Sequence, residues 1–257
     1  MSSNAIRCCV PLVFLLLCLV QSCSIKEDRE VCPCYLTVVR PDSGAGTQGE
    51  VFWYLAAGDY GLEGVIQEGE KQVCDIEVPR TVFRLIAVSG MTGGLSDKSG
   101  FRIGEGEKYP PVYYYKTDLD ARCNSLRDTI RLHKNYCNIS LGGDISENLT
   151  YCLAGSCCGF DWDGNILQGS FRSQFSQEGA TFCCRAPRQA DSSLRLEIYR
   201  AGELLRSFPI GNIIAESGFD WNAVDLEDIE VTLDYIDTGV DFTVNGWKHT
   251  ITFYYEF

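Results

Sequence analysis

Histidine and methionine are scarce, with two of each in the 257-residue chain. Histidine is the side chain most often used for acid–base catalysis and for binding transition metals. Both histidines, His133 and His249, stand in alternating strand patterns, so we interpret them as surface strand residues. The composition gives little support to an enzyme that relies on imidazole chemistry.

Familiar catalytic motifs are also missing: the sequence has no Gly-x-Ser-x-Gly elbow, His-Glu-x-x-His pair or phosphate-binding Gly-x-x-x-x-Gly-Lys loop. Asp161 with Asp163, or Asp225 with Asp228, has the spacing of an acid/base pair, but turns and loop caps explain them better. The stretch "DWDGN" is no calcium loop, because Gly164 comes two residues too early. We therefore predict no enzyme, no cofactor and no metal site.

Basic side chains are too few to balance the acidic ones: 22 against 35, a formal net charge of −13. Such a surface repels the phosphates of nucleic acids and anionic lipid headgroups. Nucleic acid is excluded as a partner.

Long apolar runs are absent except for Val10–Val20, which follows the single positive charge of Arg7. This run has the length of a signal-peptide core, roughly 7 to 15 residues, and is too short to span a bilayer. Residues 1–22 are therefore predicted to be a signal peptide, and the chain is predicted to be exported.

The end of the run resembles the lipobox of bacterial lipoproteins, with Val20 at −3, Ser22 at −1 and then Cys23. The resemblance implies cleavage before Cys23 and acylation of that residue. Cleavage by an ordinary signal peptidase is the alternative. Residues 23–34 form a lipidated N-terminus and charged spacer, in which Lys26–Asp28 resembles the export signal of Bacteroidetes surface lipoproteins. The predicted location is the cell surface, on the outer membrane.

Cysteine is abundant: of fourteen, ten remain after the signal peptide and Cys23 are set aside. An even number in an oxidising compartment predicts disulfides, although their connectivity cannot be read from sequence. Their spacing does not suit tetrahedral zinc. The candidates are Cys32, Cys34, Cys74, Cys123, Cys137, Cys152, Cys157, Cys158, Cys183 and Cys184.

Apolar and polar residues alternate through most of the chain, which predicts an all-β protein. Asn245-Gly246 predicts a type I′ turn in a C-terminal hairpin, and Asp163–Asn165 predicts a second turn. One helix is expected, over Ile210–Ser217. Strands are predicted at Tyr35–Val39, Val51–Ala57, Thr81–Ser89, Val112–Thr117, Thr129–Lys134, Leu149–Leu153, Thr181–Cys184, Leu194–Tyr199 continuing after a turn at Leu204, and Ile229–Tyr235.

Chain length and cysteine distribution favour two domains. A boundary between Cys123 and Cys137 leaves four cysteines before it and six after it, so that each half can close its own bridges. We predict an N-terminal β-sandwich over residues 35–127 and a C-terminal β-sandwich over residues 128–257.

Consecutive aromatic residues at Tyr113–Tyr115 and Tyr254-Tyr255 place rings on both faces of their strands. One face fills a core, and the other needs a cover. The pattern predicts that something packs against these sheets.

Four segments together resemble the fimbrial anchor and minor-subunit lipoproteins of Bacteroidales: "SCSIKEDREVCPCYLTV", "VPR", "APRQADSSLRLEIY" and "GFDWNAVDLEDIEVTLDYI". The resemblance implies two tandem transthyretin-like Greek-key sandwiches and no catalysis. It also implies a lipid-anchored fimbrial subunit, the anchor or a minor accessory subunit, that binds other subunits by donor-strand complementation. The structural signature residues that it implies are Trp221, Asp225, Leu226, Asp228 and Trp247.

Other interpretations stay open. A surface lipoprotein could bind a glycan, on the host or elsewhere, by stacking sugars on Trp53, Trp162 or the tyrosine run. Arg40 or Arg80 could be a protease site in a shaft subunit, although each fits an ordinary strand-end arginine better. A hydrolase is a third possibility, which the missing motifs disfavour.

Overall fold

The computed structural model describes residues 32–41, 49–70, 72–91, 99–179, 181–236 and 239–252. The predicted lipid site and Tyr254-Tyr255 lie outside these residues, as does the side chain of Cys74. The strands of the N-terminal half are β1 (Cys34–Val39), β2 (Val51–Ala57), β3 (Tyr60–Ile66), β4 (Gln72–Val78), β5 (Val82–Ser89), β6 (Phe101–Arg102), β7 (Tyr113–Asp120), β8 (Ser125–Thr129) and β9 (His133–Lys134).

The C-terminal half contains the helix of the described residues and ten further strands. These are β10 (Tyr136–Gly143), β11 (Thr150–Phe160), β12 (Ile166–Gln174), β13 (Ser176–Glu178), β14 (Thr181–Pro187), β15 (Arg195–Arg200), β16 (Glu203–Phe208), α1 (Ile210–Glu216), β17 (Ile229–Ile236), β18 (Gly239–Val244) and β19 (Trp247–Thr252).

Both halves repeat one strand topology. In the first, β1 pairs antiparallel with β4 and parallel with β8, and the other sheet has the order β3-β2-β5-β7-β9. In the second, β10 pairs antiparallel with β14 and parallel with β17, and the other sheet has the order β12-β11-β15-β16. The all-β sandwich prediction is confirmed, and the halves are alike in fold although no sequence repeat relates them.

Alternating side chains build each core. In β2, Val51, Trp53 and Leu55 are buried, while the residues between them are half-buried. In β17, Ile229, Val231 and Leu233 are buried in the same way. The second sandwich is larger because the hairpin β18–β19 adds to the free edge of β17, which places Phe242 against Phe208 of the facing sheet at 5.0 Å between ring centroids.

The two halves are joined by packing as well as by the chain. Strand β6 belongs to the N-terminal half by sequence, but it pairs antiparallel with β11 of the second sandwich. Ile86, Val88 and Val112 also pack in the core cluster of the second sandwich. Strand β9 still pairs with β7, so the N-terminal sheets extend to Lys134, beyond the predicted division after residue 127.

Both predicted turns are confirmed, and in each of them glycine or asparagine has a positive φ. Asn245 and Gly246 have φ of 46° and 83° and join β18 to β19, as predicted. Gly164 has φ of 82° in the turn between β11 and β12. Helix α1 ends at Glu216, with Ser217 as C-cap and Gly218 at φ of 82°, which confirms the predicted helix and its termination.

The continuous strand predicted over Thr129–Lys134 is wrong. Strand β8 ends at Thr129, and β9 begins at His133 in the other sheet. Between them, Ile130 is fully buried and its N–H donates to the carbonyl of Val39 at 2.9 Å. The chain crosses here from one sheet to the other, which single-strand periodicity cannot reveal.

Six strands were not predicted: β3, β4, β6, β10, β12 and β13. Strand β3 contains two glycines, and a larger residue at either would collide with an aromatic neighbour. A Cβ at Gly64 would lie 2.3 Å from the ring of Trp53, and one at Gly61 would lie 2.7 Å from the Tyr54 hydroxyl. Glycine here permits close cross-strand packing, and it also conceals the strand in the sequence.

No two described cysteine sulfurs lie at bonding distance in the structure. In the pair on β14, Cys184 is buried in the core and Cys183 is half-buried, as alternation predicts. Cys157 and Cys158 are both buried, beside register irregularities in β11. Among the described residues, no group of three potential ligands is arranged to hold a metal ion. None of the described helices has the length and hydropathy of a membrane span.

Candidate functional site

The tyrosine run, Tyr113–Tyr115, lies at the junction between the two halves. Other residues of the same chain cover much of it. The Tyr114 hydroxyl donates to the backbone carbonyl of Trp162 at 2.6 Å, and its ring packs edge-on against Phe160 at 5.1 Å. Burial raises the pKa of Tyr114, so the hydroxyl keeps its proton. Tyr113 packs edge-on against Tyr136 at 5.6 Å. These contacts within the chain cover the rings of Tyr113 and Tyr114, so the fold does not require a separate partner there.

The turn Asp161–Asn165 completes this contact. Asp161 accepts from the backbone N–H of Asn165 at 2.8 Å and from its side-chain amide at 2.9 Å, which makes it a turn cap. The carboxylate of Asp163 pairs with Arg84, and its backbone carbonyl accepts from Lys116 at 2.8 Å. Asp161 caps the turn and Asp163 forms an ion pair, in agreement with the interpretation as turn and loop-cap residues. They form no acid/base pair.

Four of the five signature residues gather at the same junction. Asp225 accepts from the backbone N–H of Lys134 at 2.7 Å and contacts His133 Nδ1 at 3.1 Å. Asp228 accepts from the backbone and side-chain N–H groups of Asn138, at 2.9 and 3.1 Å, and pairs with Lys134. Leu226 is buried between them. These residues hold the segment before β17 against the end of β9 and the start of β10.

Both carboxyl groups have lowered pKa values despite partial burial. Burial by itself favours the neutral form, but it is outweighed at Asp225 by the Lys134 backbone and His133, and at Asp228 by Lys134 and Asn138. The two carboxylates therefore act as anionic hydrogen-bond acceptors, not as proton donors near neutral pH.

Arg188 was not singled out by the sequence and completes the junction. Its guanidinium donates to the side-chain carbonyl of Asn135 at 3.0 Å, to the carbonyl of Ala223 at 2.8 Å and to the carbonyl of Trp221. The Trp221 ring packs edge-on against Phe219 at 4.8 Å. The quoted segment "APRQ" contains this arginine, but only the fold shows that it fixes a loop more than thirty residues away.

We expect acid to weaken this junction. The folded-state pKa values of Asp225 and Asp228 lie below the ordinary 3.8, so their contribution is fully present above that value and is lost as the pH falls through the folded pKa. Urea unfolding between about pH 6 and pH 3 should show a falling free energy of unfolding. Asp228→Asn should cost about 1 kcal/mol at neutral pH and flatten the acid limb. Asp59→Asn, in an exposed turn, is the control and should change the free energy of unfolding at neutral pH by less than about 0.5 kcal/mol.

Trp247, the fifth signature residue, lies elsewhere, on edge strand β19. It is 37% exposed and stacks on His249 at 5.7 Å, and His249 Nδ1 lies 3.3 Å from the Glu216 carboxylate of α1. On the facing sheet, edge strand β16 exposes Leu204 (53%) and Leu205 (37%). We call the side of the second sandwich bordered by the edge strands β16 and β19 the lateral opening.

A polar hollow of about 620 Å³ lies on the opposite side of the second sandwich, where the chain passes from β12 to β13. Lys108 donates to Ser176 there at 2.7 Å. Burial, followed by the nearby Glu178, raises the pKa of the Cys183 thiol, whereas a nucleophilic cysteine needs a lowered pKa. The groups that line this hollow do not form a nucleophile–base pair.

The aromatic rings proposed for glycan stacking are packed in the fold. Trp53 is 4% exposed in the first core, so the expectation that it is available for stacking is wrong. Trp162 packs edge-on against Phe160 at 5.9 Å, and the tyrosine run is covered as described above. Trp53 therefore offers no stacking surface, whereas Trp162 and Tyr113–Tyr115 are half-buried.

No protein-family model and no curated protein sequence matches the chain. Solved structures do. A Bacteroides thetaiotaomicron protein provisionally described as polysaccharide-binding has a TM-score of 0.63 and 13% identity, covering 85% of this chain and 98% of that one. The fimbrial anchor protein Mfa2 of Porphyromonas gingivalis has a TM-score of 0.61 and 12% identity, covering 86% and 100%. A Bacteroides ovatus protein provisionally described as an adhesin has a TM-score of 0.61 and 12% identity, covering 89% and 97%.

At these identities the likeness shows the fold. The chain has the all-β sandwich architecture found in fimbrial and adhesin proteins of Bacteroidales. Within that group, the anchor Mfa2 is matched over its whole length.

Proposed function

We propose that this protein is a lipid-anchored fimbrial subunit, the anchor or a minor accessory subunit, on the surface of the outer membrane. Two observations support the proposal: the lipobox ending at Cys23 and the fold shared with a fimbrial anchor. Lipid at Cys23 holds one end of the chain, and the sandwiches recruit a neighbouring subunit.

The observation that carries the assembly role is the lateral opening. Strand β19 is the edge of a six-stranded sheet, and its register with β18 is regular over six residue pairs. An edge strand presents backbone N–H and C=O groups to an incoming strand. Leu204 on β16 and Trp247 on β19 are exposed apolar side chains on these two edge strands. Strand β16 is less suitable for pairing with an incoming strand, because its own pairing with β15 changes register at Ile198/Tyr199. We infer that a neighbouring subunit adds its strand beside β19.

The position of Arg40 fits an anchor better than a shaft subunit released by proteolysis. Arg40 follows β1, is 6% exposed, and donates to the carbonyl of Gln67 at 3.3 Å. A protease needs an accessible, extended segment. Cleavage here would require the Arg40 side chain to leave its buried position first.

The test replaces apolar residues of the lateral opening by lysine. Leu204→Lys combined with Trp247→Lys should reduce the neighbouring subunit recovered after crosslinking at the cell surface by at least about 10-fold, because each buried apolar side chain contributes about 1.5–3 kcal/mol. The matched control is Val82→Lys combined with Tyr35→Lys, at residues 47% and 45% exposed on the first sandwich. Equal recovery from the two double variants, both folded by circular dichroism, would contradict the assignment of this surface.

A further inference from the structure

The first strand of the fold begins beside a second cysteine. The Sγ atom of Cys34, the first residue of β1, lies 3.8 Å from the Sγ atom of Cys123. Cys34 is fully buried, and Cys123 is half-buried in the connection between β7 and β8. The two residues are 89 positions apart in the chain, so the fold alone brings their sulfurs into contact.

Backbone contacts hold the two segments together immediately after the two cysteines. The N–H of Tyr35 donates to the carbonyl of Asn124 at 3.0 Å, and β1 then pairs with β8 residue by residue. The connection itself is fixed by Asp120, which accepts from the backbone N–H of Arg122 at 3.1 Å. The sulfurs are thus kept adjacent by ordered structure.

We infer that Cys34 and Cys123 form a disulfide bond in the exported protein. Bonded sulfurs lie about 2.05 Å apart, so the two atoms must approach by somewhat under 2 Å, a distance that small side-chain rotations cover. Exposed Cys32 is two residues away and is the competing partner. Its backbone carbonyl is held by Arg80 Nε at 2.8 Å, outside the buried position that Cys34 occupies.

The reaction is a two-electron thiol–disulfide exchange with a protein disulfide donor of the cell envelope. The more accessible Cys123 attacks the donor disulfide as a thiolate, which forms a mixed disulfide and releases one donor thiol. The Cys34 sulfur then attacks the Cys123 sulfur and displaces the second donor thiol. The donor is reduced to a dithiol that takes up the two protons from the cysteines. Burial raises the pKa of Cys34 to about 11, so the first attack falls to Cys123.

The bond would join the start of β1 to the body of the first sandwich. If Cys23 carries lipid, as the proposed function states, any pull on the fimbria reaches the fold through β1. The disulfide transfers that load to the β7–β8 connection and keeps β1 from peeling away. The bond itself does not depend on the lipid, so its test is independent of the proposed function.

The test uses the full chain, taken from cells quenched with N-ethylmaleimide and digested without reductant. Mass spectrometry should find Cys34 linked to Cys123, and the link should persist in Cys32→Ser. Thiols labelled at both Cys34 and Cys123 would overturn the inference, as would a Cys32–Cys123 link. A second measurement compares thermal midpoints: the wild type should exceed Cys123→Ser by on the order of 10 °C under oxidising conditions. The two midpoints should converge in reductant, and an equal gap in both conditions would also overturn it.

Discussion

Replacing Cys23 by serine should abolish incorporation of radiolabelled palmitate and leave a precursor that retains residues 1–22. The lipobox requires a thiol at this position, because the first acyl chains are attached to sulfur before the signal is removed. Each buried methylene contributes about 0.8 kcal/mol, so three acyl chains hold a protein on a membrane far more firmly than one. The protein should also disappear from the cell surface, as measured by antibody binding to intact cells.

The matched control is Cys32→Ser, the next cysteine in the chain, which lies beyond the lipobox. It should label with palmitate as the wild type does and reach the surface. Labelling of Cys23→Ser at the wild-type level would rule out this lipid site. Processing of the wild type without any label would favour the alternative of an ordinary signal peptidase.

Arg188→Ala should lower the free energy of unfolding by about 3 kcal/mol. The guanidinium donates to Asn135 and to the carbonyls of Trp221 and Ala223, and truncation leaves these acceptors without their charged donor. Hydrogen bonds to charged groups contribute roughly 1.5–3 kcal/mol, and several are lost together. Amide hydrogen exchange should show lost protection in the segment before β17, and chemical denaturation should give the overall cost.

Arg195→Ala is the control for this change. Arg195 is an exposed strand residue with a side-chain contact to Ser207 at 3.1 Å, so its removal should cost under about 0.5 kcal/mol. If the two variants were equally stable, the junction would not depend on Arg188. Arg188→Lys should recover only part of the loss, since an ammonium group cannot match the planar fork of the guanidinium.

The tyrosine run shows what a local sequence pattern can predict and what it cannot. Three consecutive rings on one strand must place one ring on the opposite face from its neighbours, and the sequence correctly indicates that this face needs a cover. It cannot identify the cover, because Trp162 lies 48 residues from Tyr114. For Trp53 the sequence suggested an exposed ring, and this was wrong. The ring is buried because Gly64 stands opposite it in β3.

The signature segment before β17 also separates what the sequence predicts from what only the fold shows. In the sequence, Asp225 and Asp228 are best explained as residues of turns and loop caps. In the fold, Asp225 and Asp228 accept from the backbone N–H groups of Lys134 in β9 and Asn138 in β10, some ninety residues earlier in the chain. Their role depends on partners that no local pattern can pair with them.

The sequence by itself determined the all-β class, the hairpin at Asn245-Gly246 and the helix that ends before Gly218, because these depend on side-chain alternation and on glycine's freedom at positive φ. Tertiary structure decided the repeated topology, the junction around Arg188 and the contact of Cys34 with Cys123. Each of these joins residues far apart in the chain, and their pairing is set by which sheet faces pack together.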